Sequence, residues 1–461
     1  MSNSIVTVNV SLQVAPTPPT LQQTGALISQ GATTTAQGTK SFLTQASDLT
    51  TLLKGALAIS SITWLSSVAT VTTAAPHGFT ISDTIPLTIS GATPAGYNGT
   101  FTCTITGASS FTYPLASNPG SESIPGVYTL EDVSELLAMV ATFFAQGTQQ
   151  GVYVLELGAG NSADGVTYLT TWIAANPGFF YSYLMPRSWS DESTFYGSFV
   201  AGFEASTSKT YFYVTMEDDN YTNFTPLMKC VKGLIEAPSG LPALEFTHAA
   251  DFRHDLAYAP SSTNKVTPNA FCFLFGVTPF PTVGNAAKLA AYKAAGVNVV
   301  DTGAEGGITN TILKWGTTMD GNDFTYWYSV DWVQINADLT LSNVVEQGSN
   351  NPVNPVNYNQ DGINRLQSAL AAMAANGVSF GLILGVPTQV ELIGTDLASA
   401  IDAGTFSNQT IVNAVPFIPY SQQNPGDYKI GRYAGLSLVY VPARGFTAIV
   451  FNVVVSNFVA Q

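Results

Sequence analysis

Two histidines and two aspartates lie close together in the middle of the chain: His248, Asp251, His254 and Asp255. Such side chains bind metal ions or transfer protons when a fold brings them together. On a helix Asp251 and Asp255 share a face, whereas His248 lies at a different angle from His254. His-x5-His is also not a spacing that zinc sites use. We therefore interpret the segment as a solvated helix or loop and predict no metal ligands.

A glycine-rich segment over 158–165 follows a predicted strand and precedes a predicted helix, as phosphate-binding loops do. Its spacing differs from G-x-G-x-x-G, and it lacks the Lys-Ser or Lys-Thr pair of a P-loop. We interpret it as a tight loop and predict no cofactor. The neighbouring carboxylates Glu131-Asp132 and Asp218-Asp219 point apart on a helix or strand. The sequence thus predicts no catalytic residue. The hypothesis that the chain is an α/β enzyme rests only on the alternating strands and helices and on this loop.

The composition excludes several classes of protein. The 461 residues include 15 basic and 30 acidic side chains, a net charge of −15, yet only 10% are charged, where about 25% is usual. A pI near 4.4 argues against binding the phosphate backbone of nucleic acids. With 46% hydrophobic residues and a mean hydropathy of +0.20, the chain can bury a large core. Sparse charge is typical either of a subunit covered by other protein or of an extracellular β-protein.

Cysteine usage and the N-terminal sequence predict the compartment. Cys103, Cys230 and Cys272 are odd in number and far apart, which favours buried thiols in a reducing compartment over a disulfide framework. The first residues lack the basic and apolar regions of a signal peptide, and no apolar run approaches the length of about 18 residues that spans a membrane. We predict no membrane insertion.

Both ends of the chain carry alternating sequences that are typical of strands with one buried face. The N-terminal apolar face consists of Val6, Val8, Val10, Leu12 and Val14. The C-terminal apolar face consists of Ile449, Phe451, Val453, Val455 and Val459. Both strands can pair within their own domain. The stiff proline-rich spacer over 15–20 favours the alternative, in which a terminal strand pairs with a neighbouring copy.

The charges are unevenly distributed. No lysine or arginine lies between Lys54 and Arg187, whereas Lys429, Arg432 and Arg444 follow the last acidic residue of the chain, Asp427. We predict these three basic residues as possible electrostatic contacts between copies.

The body of the chain alternates strands and helices. The apolar patterns predict strands over 152–157, 181–185, 211–216, 271–277 and 297–300, and helices over 131–144, 286–295 and 363–375. Residues 60–123 differ, because short β-branched segments alternate there with turn signals. We predict an α+β or α/β fold with a mixed sheet, terminal β-strand arms and a small inserted antiparallel β-domain. The predicted division is 1–20 (N-terminal arm and linker), 21–59 with 124–268 (N-terminal α/β domain), 60–123 (inserted domain), 269–444 (C-terminal domain) and 445–461 (C-terminal arm).

Several segments resemble the contractile tail sheath proteins of myovirus-type bacteriophages. They are an Asp331-Trp332 segment within 320–333, a helix start at Asp361-Gly362-Ile363, and a terminal G-F-x-x-I-x-F strand at 445–451. The region 60–123 is similar to a small β-module found in phage virion proteins, through residues 75–79 and 97–101.

The resemblance implies a structural subunit rather than an enzyme. In sheath proteins, subunits stack as rings around a rigid tube, and terminal arms add strands to their neighbours' sheets. Contraction then drives the tube through the host envelope. The expected partners are further copies of the chain in a helical homopolymer, the tail tube protein, and baseplate and tail terminator proteins, in a virion assembled in the bacterial cytoplasm. The alternative is a virion adhesin that binds its receptor through the inserted β-domain.

Overall fold

The structure, a computed structural model, describes residues 20–147, 150–158, 161–224, 228–305 and 308–446. Both predicted terminal strands lie outside these ranges, so their pairing stays a prediction. In chain order, the strands are β1 (Gly25–Ser29), β2 (Lys40–Leu43), β3 (Leu57–Leu65), β4 (Val68–Thr73), β5 (Thr84–Ser90), β6 (Gly99–Gly107), β7 (Ser110–Pro114), β8 (Val127–Leu130), β9 (Val152–Glu156), β10 (Ser182–Leu184), β11 (Tyr211–Met216), β12 (Val231–Ile235), β13 (Val297–Glu305), β14 (Ile308–Leu313), β15 (Ile383–Leu384), β16 (Val386–Val390), β17 (Gln409–Ala414), β18 (Leu436–Val439) and β19 (Val441–Pro442). The α-helices are α1 (Glu131–Ala145), α2 (Ser162–Ala175), α3 (Thr247–Leu256), α4 (Ala286–Ala294), α5 (Phe324–Ser349), α6 (Gln360–Ser379), α7 (Gly394–Asp402), α8 (Phe417–Gln423) and α9 (Pro425–Lys429).

Eight strands form the main sheet, in the order β14-β13-β12-β11-β10-β1-β9-β2. The strands from β13 to β9 in this order run parallel to one another. The outer strands β14 and β2 pair antiparallel with β13 and β9. The chain is therefore a mixed α and β protein with several sheets, as the alternating pattern predicts.

The central strands β1, β10, β11 and β12 of the main sheet are buried on both faces, which favours a continuous apolar run such as that of β11. Along β11, Tyr211 and Tyr213 belong to a core shared with α1, α3 and α5, whereas Phe212 and Val214 belong to a second core shared with α2. The pattern predicts β11 with the same bounds that the structure has, and β9 to within one residue.

The prediction of a strand over 271–277 is wrong. Phe271 has a φ angle of +63°, and a single bridge between Phe273 and Ile312 joins the segment to β14. Phe273 and Phe275 are more than half exposed. A short apolar run cannot be distinguished by pattern alone from an irregular surface segment, and here the tertiary structure gives the sheet edge to β14.

Six strands between Leu57 and Leu130 close into a barrel in the order β3-β4-β7-β6-β5-β8. Side chains alternate between its interior and solvent, as along β4, where Ala69, Val71 and Thr73 are buried and their neighbours are exposed. Leu57 pairs with Tyr128, and Ala58 with Val127, so the chain enters and leaves the barrel at adjacent positions.

The C-terminal part combines two long helices with small sheets. α5 packs against α6, beside a three-stranded sheet of order β16-β17-β18 and a two-stranded pair of β15 and β19. The side chain of Asn359 caps α6 by accepting a hydrogen bond from Gly362 N at 2.9 Å. A Cβ atom on Gly362 would lie 2.0 Å from Asn357 O, so the close approach of this turn requires glycine.

Candidate functional site

The cluster of histidines and aspartates predicted to be solvated is buried. His248, Asp251 and Asp255 lie on α3 and are at most 3% exposed. His248 Nε2 lies 3.5 Å from Asp251 Oδ2, and burial lowers the pKa of His248. The prediction of a solvated segment is wrong, because α3 packs its polar face against the main sheet.

The partner of these carboxylates is Lys232, in the middle of β12, which the sequence reasoning missed. Lys232 Nζ lies 2.7 Å from Asp251 Oδ1 and 2.5 Å from Asp255 Oδ2, and the lysine is 0% exposed. Burial opposes the charged ammonium, but the two carboxylates outweigh it and raise the pKa of Lys232. Burial likewise opposes ionised Asp251, yet Lys232 and His248 lower its pKa to about 2. The available signal was a lysine inside an apolar run, since a buried ammonium needs paired acceptors.

A second buried carboxylate connects α5 to the main sheet. Asp331 Oδ2 accepts hydrogen bonds from the hydroxyls of Tyr181, at 2.9 Å, and Tyr211, at 2.8 Å. Burial raises the pKa of Asp331 to about 6, while nearby Lys229 acts in the opposite direction. The Asp331-Trp332 pair that carries part of the family resemblance thus anchors a helix, with Trp332 packed 5.8 Å from the ring of Phe380.

The glycine-rich segment at 158 begins beside a carboxylate that is already fully bonded. Glu156, at the end of β9, accepts hydrogen bonds from Ser29, Gly31, Thr33 and Gly158, whose φ angle is +68°. A buried negative charge at this position repels phosphate. The tight-loop interpretation fits these contacts, although residues 159–160 lie outside the described ranges.

Residues 377–381 follow the letter pattern G-x-S-x-G of hydrolase nucleophiles, which requires a sharp strand-to-helix turn. Ser379 is instead the exposed last residue of α6. No group of three or more His, Cys, Asp or Glu side chains suited to a metal occurs among the described residues. Within the same ranges, no helix is both long and apolar enough to cross a membrane.

The C-terminal part presents a cleft of about 800 Å³ between α5, α6 and β18. Its lining is mainly apolar and includes Leu341, Val345, Ile363, Leu366 and Leu438. Leu436, Ser437 and Leu438 all border it. Because alternate side chains of a strand point to opposite faces, three consecutive lining residues place the cleft along the edge of β18.

This edge of β18 is unpaired among the described residues. Val415 N donates to Gly435 O, and the register pairs Val412 with Leu438 and Ala414 with Leu436. Hydrogen-bonded and non-hydrogen-bonded pairs alternate along an antiparallel ladder, so the amides of Leu436 and Leu438 point away from β17. The edge therefore offers free backbone donors beside an apolar cleft.

Further apolar side chains are exposed around the small sheets. Leu384, Val386 and Val441 are each more than half exposed. The chain leaves this region at Gly445, whose amide donates to Asp323 Oδ2 at 2.8 Å next to the start of α5. Phe446, the last described residue, is 76% exposed.

The three predicted basic contacts are all exposed in this same part of the chain. Lys429 ends α9, Arg432 follows it, and the Arg444 guanidinium lies 4.2 Å from the ring centre of Tyr326. Within the described residues, none of the three takes part in an ion pair.

No protein-family model matches the sequence, and no curated protein matches it significantly. The fold aligns with a chain of the anti-feeding prophage baseplate, over 99% of this chain and 100% of that chain, with a TM-score of 0.53 and 11% identity. It also aligns with a chain of the contracted helical sheath of the anti-feeding prophage, over the same shares, with a TM-score of 0.50 and 11% identity. The sheath tail protein Lin1278 from Listeria innocua aligns over 92% of this chain and 96% of its own, with a TM-score of 0.42 and 12% identity. By the first two alignments, the chain has the fold of a chain from this baseplate and of a chain from the contracted helical sheath, and the resemblance to sheath proteins is confirmed for the fold.

Proposed function

We propose that the chain is a non-enzymatic structural subunit of a contractile tail sheath and polymerises into a helical sheath. The observation that carries this proposal is the alignment over 99% of this chain and 100% of a chain from a contracted helical sheath. The sparse charge of the sequence supports it, since surfaces covered by neighbouring subunits are depleted in charge.

We infer that the terminal arms join the copies by strand exchange. The acceptor is the free edge of β18, where outward amides lie beside the apolar cleft. The alternating segment 6–14 suits this edge, because its backbone can extend the ladder while its apolar face enters the cleft. The predicted C-terminal strand over 449–459 follows Phe446 along the chain, and we propose it as the second arm. We propose that Lys429, Arg432 and Arg444 contact the acidic body of a neighbouring copy, an attraction that salt weakens.

Contraction in this proposal is a collective transition of the lattice to a state with more favourable subunit contacts, without a nucleotide. It drives the tube through the host envelope. The other partners are the tail tube protein, the baseplate and a tail terminator, in a phage-tail virion assembled in the host cytoplasm. A chain of the anti-feeding prophage baseplate shares the fold, which supports contact with such a structure.

We also propose that residues 60–123 form an inserted domain that projects outward. The adjacent entry and exit strands of the barrel support an insertion. The other domain limits remain predictions, and the pairing of β12 with β13 carries the main sheet across the predicted limit at residue 269. A second candidate function, adhesion, rests on a cleft of about 350 Å³ on the barrel, beside Trp64 and Tyr97. A glycan array comparing the full chain with a barrel-deleted chain tests adhesion, and equal binding by both chains contradicts it.

The polymerisation proposal is tested by negative-stain microscopy of the purified protein. We expect tubes or ring stacks from the full chain, and folded monomers after deletion of residues 1–19. A pair of matched variants refines the test: Val8→Asp with Val10→Asp places charge on the apolar face of the arm, whereas Thr7→Asp with Asn9→Asp places it on the polar face. We expect only the first pair to abolish polymers. A full chain that stays monomeric contradicts the proposal.

A further inference from the structure

Three buried side chains from separate segments contact one another: Lys232, Asp255 and Asn269. Lys232 comes from β12, Asp255 from α3, and Asn269 from the segment between α3 and α4. Lys232 Nζ lies 2.9 Å from Asn269 Oδ1 and 2.5 Å from Asp255 Oδ2. Asn269 Nδ2 donates to the other carboxylate oxygen, Asp255 Oδ1. The carboxylate of Asp255 is therefore bonded both to the amine of Lys232 and to the side-chain amide of Asn269, and these two groups also contact each other.

This arrangement has the parts needed for an amide exchange: a lysine ammonium that becomes a nucleophile once it gives up a proton, an electrophilic carboxamide, and a carboxylate that is bonded to both and can take the proton. We propose that Lys232 and Asn269 become joined by an intramolecular isopeptide bond, with Asp255 transferring the protons. The bond links β12 to the segment that precedes α4, and encloses α3 in the resulting loop.

The atoms and charges of the step balance without an oxidant or reductant. Asp255 Oδ2 takes one proton from the Lys232 ammonium, and the Nζ lone pair then attacks Cγ of Asn269. The new Nζ–Cγ bond forms as the Cγ–Nδ2 bond breaks. A second Nζ proton passes to Nδ2, which leaves as ammonia. Asp255 remains protonated, and the third Nζ proton stays on the new amide, so the net charge of the cluster is unchanged.

The surroundings favour this reaction over hydrolysis. Lys232 and Asn269 are 0% exposed and Asp255 is 3% exposed, so water has little access to Cγ. The rings of Phe324 and Tyr213 lie 4.9 and 5.3 Å from Nζ and form apolar walls. Nζ lies 2.9 Å from the carbonyl oxygen that is bonded to Cγ, so the fold already holds the two groups side by side, which replaces an encounter in solution and raises the rate.

The geometry selects Asn269 rather than Asp251 as the acceptor. Asp251 also touches Nζ, at 2.7 Å, but a carboxylate with a pKa of about 2 stays ionised and is a poor electrophile. Asp251 instead balances the charge of the ammonium before the reaction. The leaving nitrogen, Asn269 Nδ2, lies 3.3 Å from Nδ1 of His254, the partly exposed side chain next to the cluster. The His254 side chain is 23% exposed and borders a cleft of about 180 Å³.

Mass spectrometry of the full-length protein under denaturing conditions tests the bond directly. We expect the intact mass to be lower than that of the linear chain by one molecule of ammonia. Trypsin should yield a branched peptide that joins residues 230–253 to residues 266–288, because a modified Lys232 is not cleaved. An unreduced mass, with a linear peptide starting at Gly233, overturns the proposal. Loss of water with a branch at Asp251 also overturns it, since the acceptor is then not Asn269.

Variants test the assigned roles. Lys232→Met and Asp255→Asn should each restore the full mass and the linear peptides, whether or not the variant remains fully stable. Lys314→Met is the matched control, because Lys314 directly follows β14 and its amine pairs with a single carboxylate, that of Asp301, at a partly exposed position. This control should keep the ammonia deficit. Persistence of the branched peptide in Asp255→Asn overturns the role of Asp255.

Discussion

The barrel and the C-terminal sheet of this chain differ in whether their strands have unpaired edges. The six barrel strands are closed on themselves, so each has two neighbours. The β16-β17-β18 sheet has free outer edges among the described residues, and it lies beside an apolar cleft and several exposed apolar side chains. Closure removes edges that would recruit other chains, whereas open edges recruit them. In the proposed assembly, we therefore expect the open edges of the C-terminal sheet, rather than the closed barrel, to pair with other copies.

The most severe test places proline on the free edge of β18. Leu438→Pro removes an amide that points away from β17, so the internal ladder keeps its bonds while an added strand loses one. We expect a folded monomer by circular dichroism and a loss of polymers by negative-stain microscopy. Leu438→Ala is the control for lost side-chain volume and should still polymerise. Equal polymer lengths for the two variants would show that this edge does not accept a strand.

A core mutation in the barrel should leave assembly intact. Phe111 is fully buried there, and Phe111→Ala should destabilise the barrel by about 3–5 kcal/mol in thermal or urea unfolding. Because the barrel has no free edge, polymers should still form. Leu65→Ala, at a side chain that is 77% exposed, is the control and should change neither property. Loss of polymers in Phe111→Ala would place the barrel within the assembly contacts.

A smaller effect on stability is expected at Asp331. This residue anchors α5, which forms one wall of the apolar cleft, to the main sheet. A pKa raised from 3.8 to about 6 means that Asp331 stabilises the fold in its protonated form, below about pH 4, and that this contribution of about 3 kcal/mol is lost as the pH rises through 6. Asp331→Asn keeps an acceptor for the tyrosine hydroxyls and removes the titration. We expect the difference in unfolding free energy between variant and wild type to grow, in favour of the variant, from pH 4 to pH 6.5.

The exposed Asp219→Asn is the control for the pH experiment and should follow the wild type at every pH. A difference between Asp331→Asn and wild type that does not change with pH would mean that Asp331 is ionised throughout this range.

Regular apolar patterns in the sequence correctly predicted strands that are buried on both faces and helices that are buried on one face. The apolar run at 211–216 became β11, and the amphipathic period from Glu131 became α1. The equally apolar run at 271–277 lies beside β14 but did not become a strand, because the positive φ angle of Phe271 interrupts it and a single bridge joins it to β14. The local pattern of apolar residues indicates how a segment can be buried. It does not indicate which segment of the chain forms a given strand of the sheet.

The buried ionic cluster shows the same limit for the candidate site. The histidines and aspartates of α3 were recognisable in the sequence, but their environment was not. A helix whose polar face contacts solvent and a helix whose polar face contacts a buried lysine have the same sequence pattern. Lys232 and Asn269 are separated from each other by an entire helix and its connections. Only the packing of α3 on β12 brings them within hydrogen-bonding distance.

The sequence by itself determined the alternation of strands and helices, the distinct character of residues 60–123 and the resemblance to sheath proteins, because each depends on composition or on neighbours along the chain. The tertiary structure decided which edges are closed and which are free, where an apolar cleft opens, and which charges are buried together. Those properties depend on contacts between residues distant in sequence, and the free energy of such contacts is set by burial and geometry that no local pattern encodes.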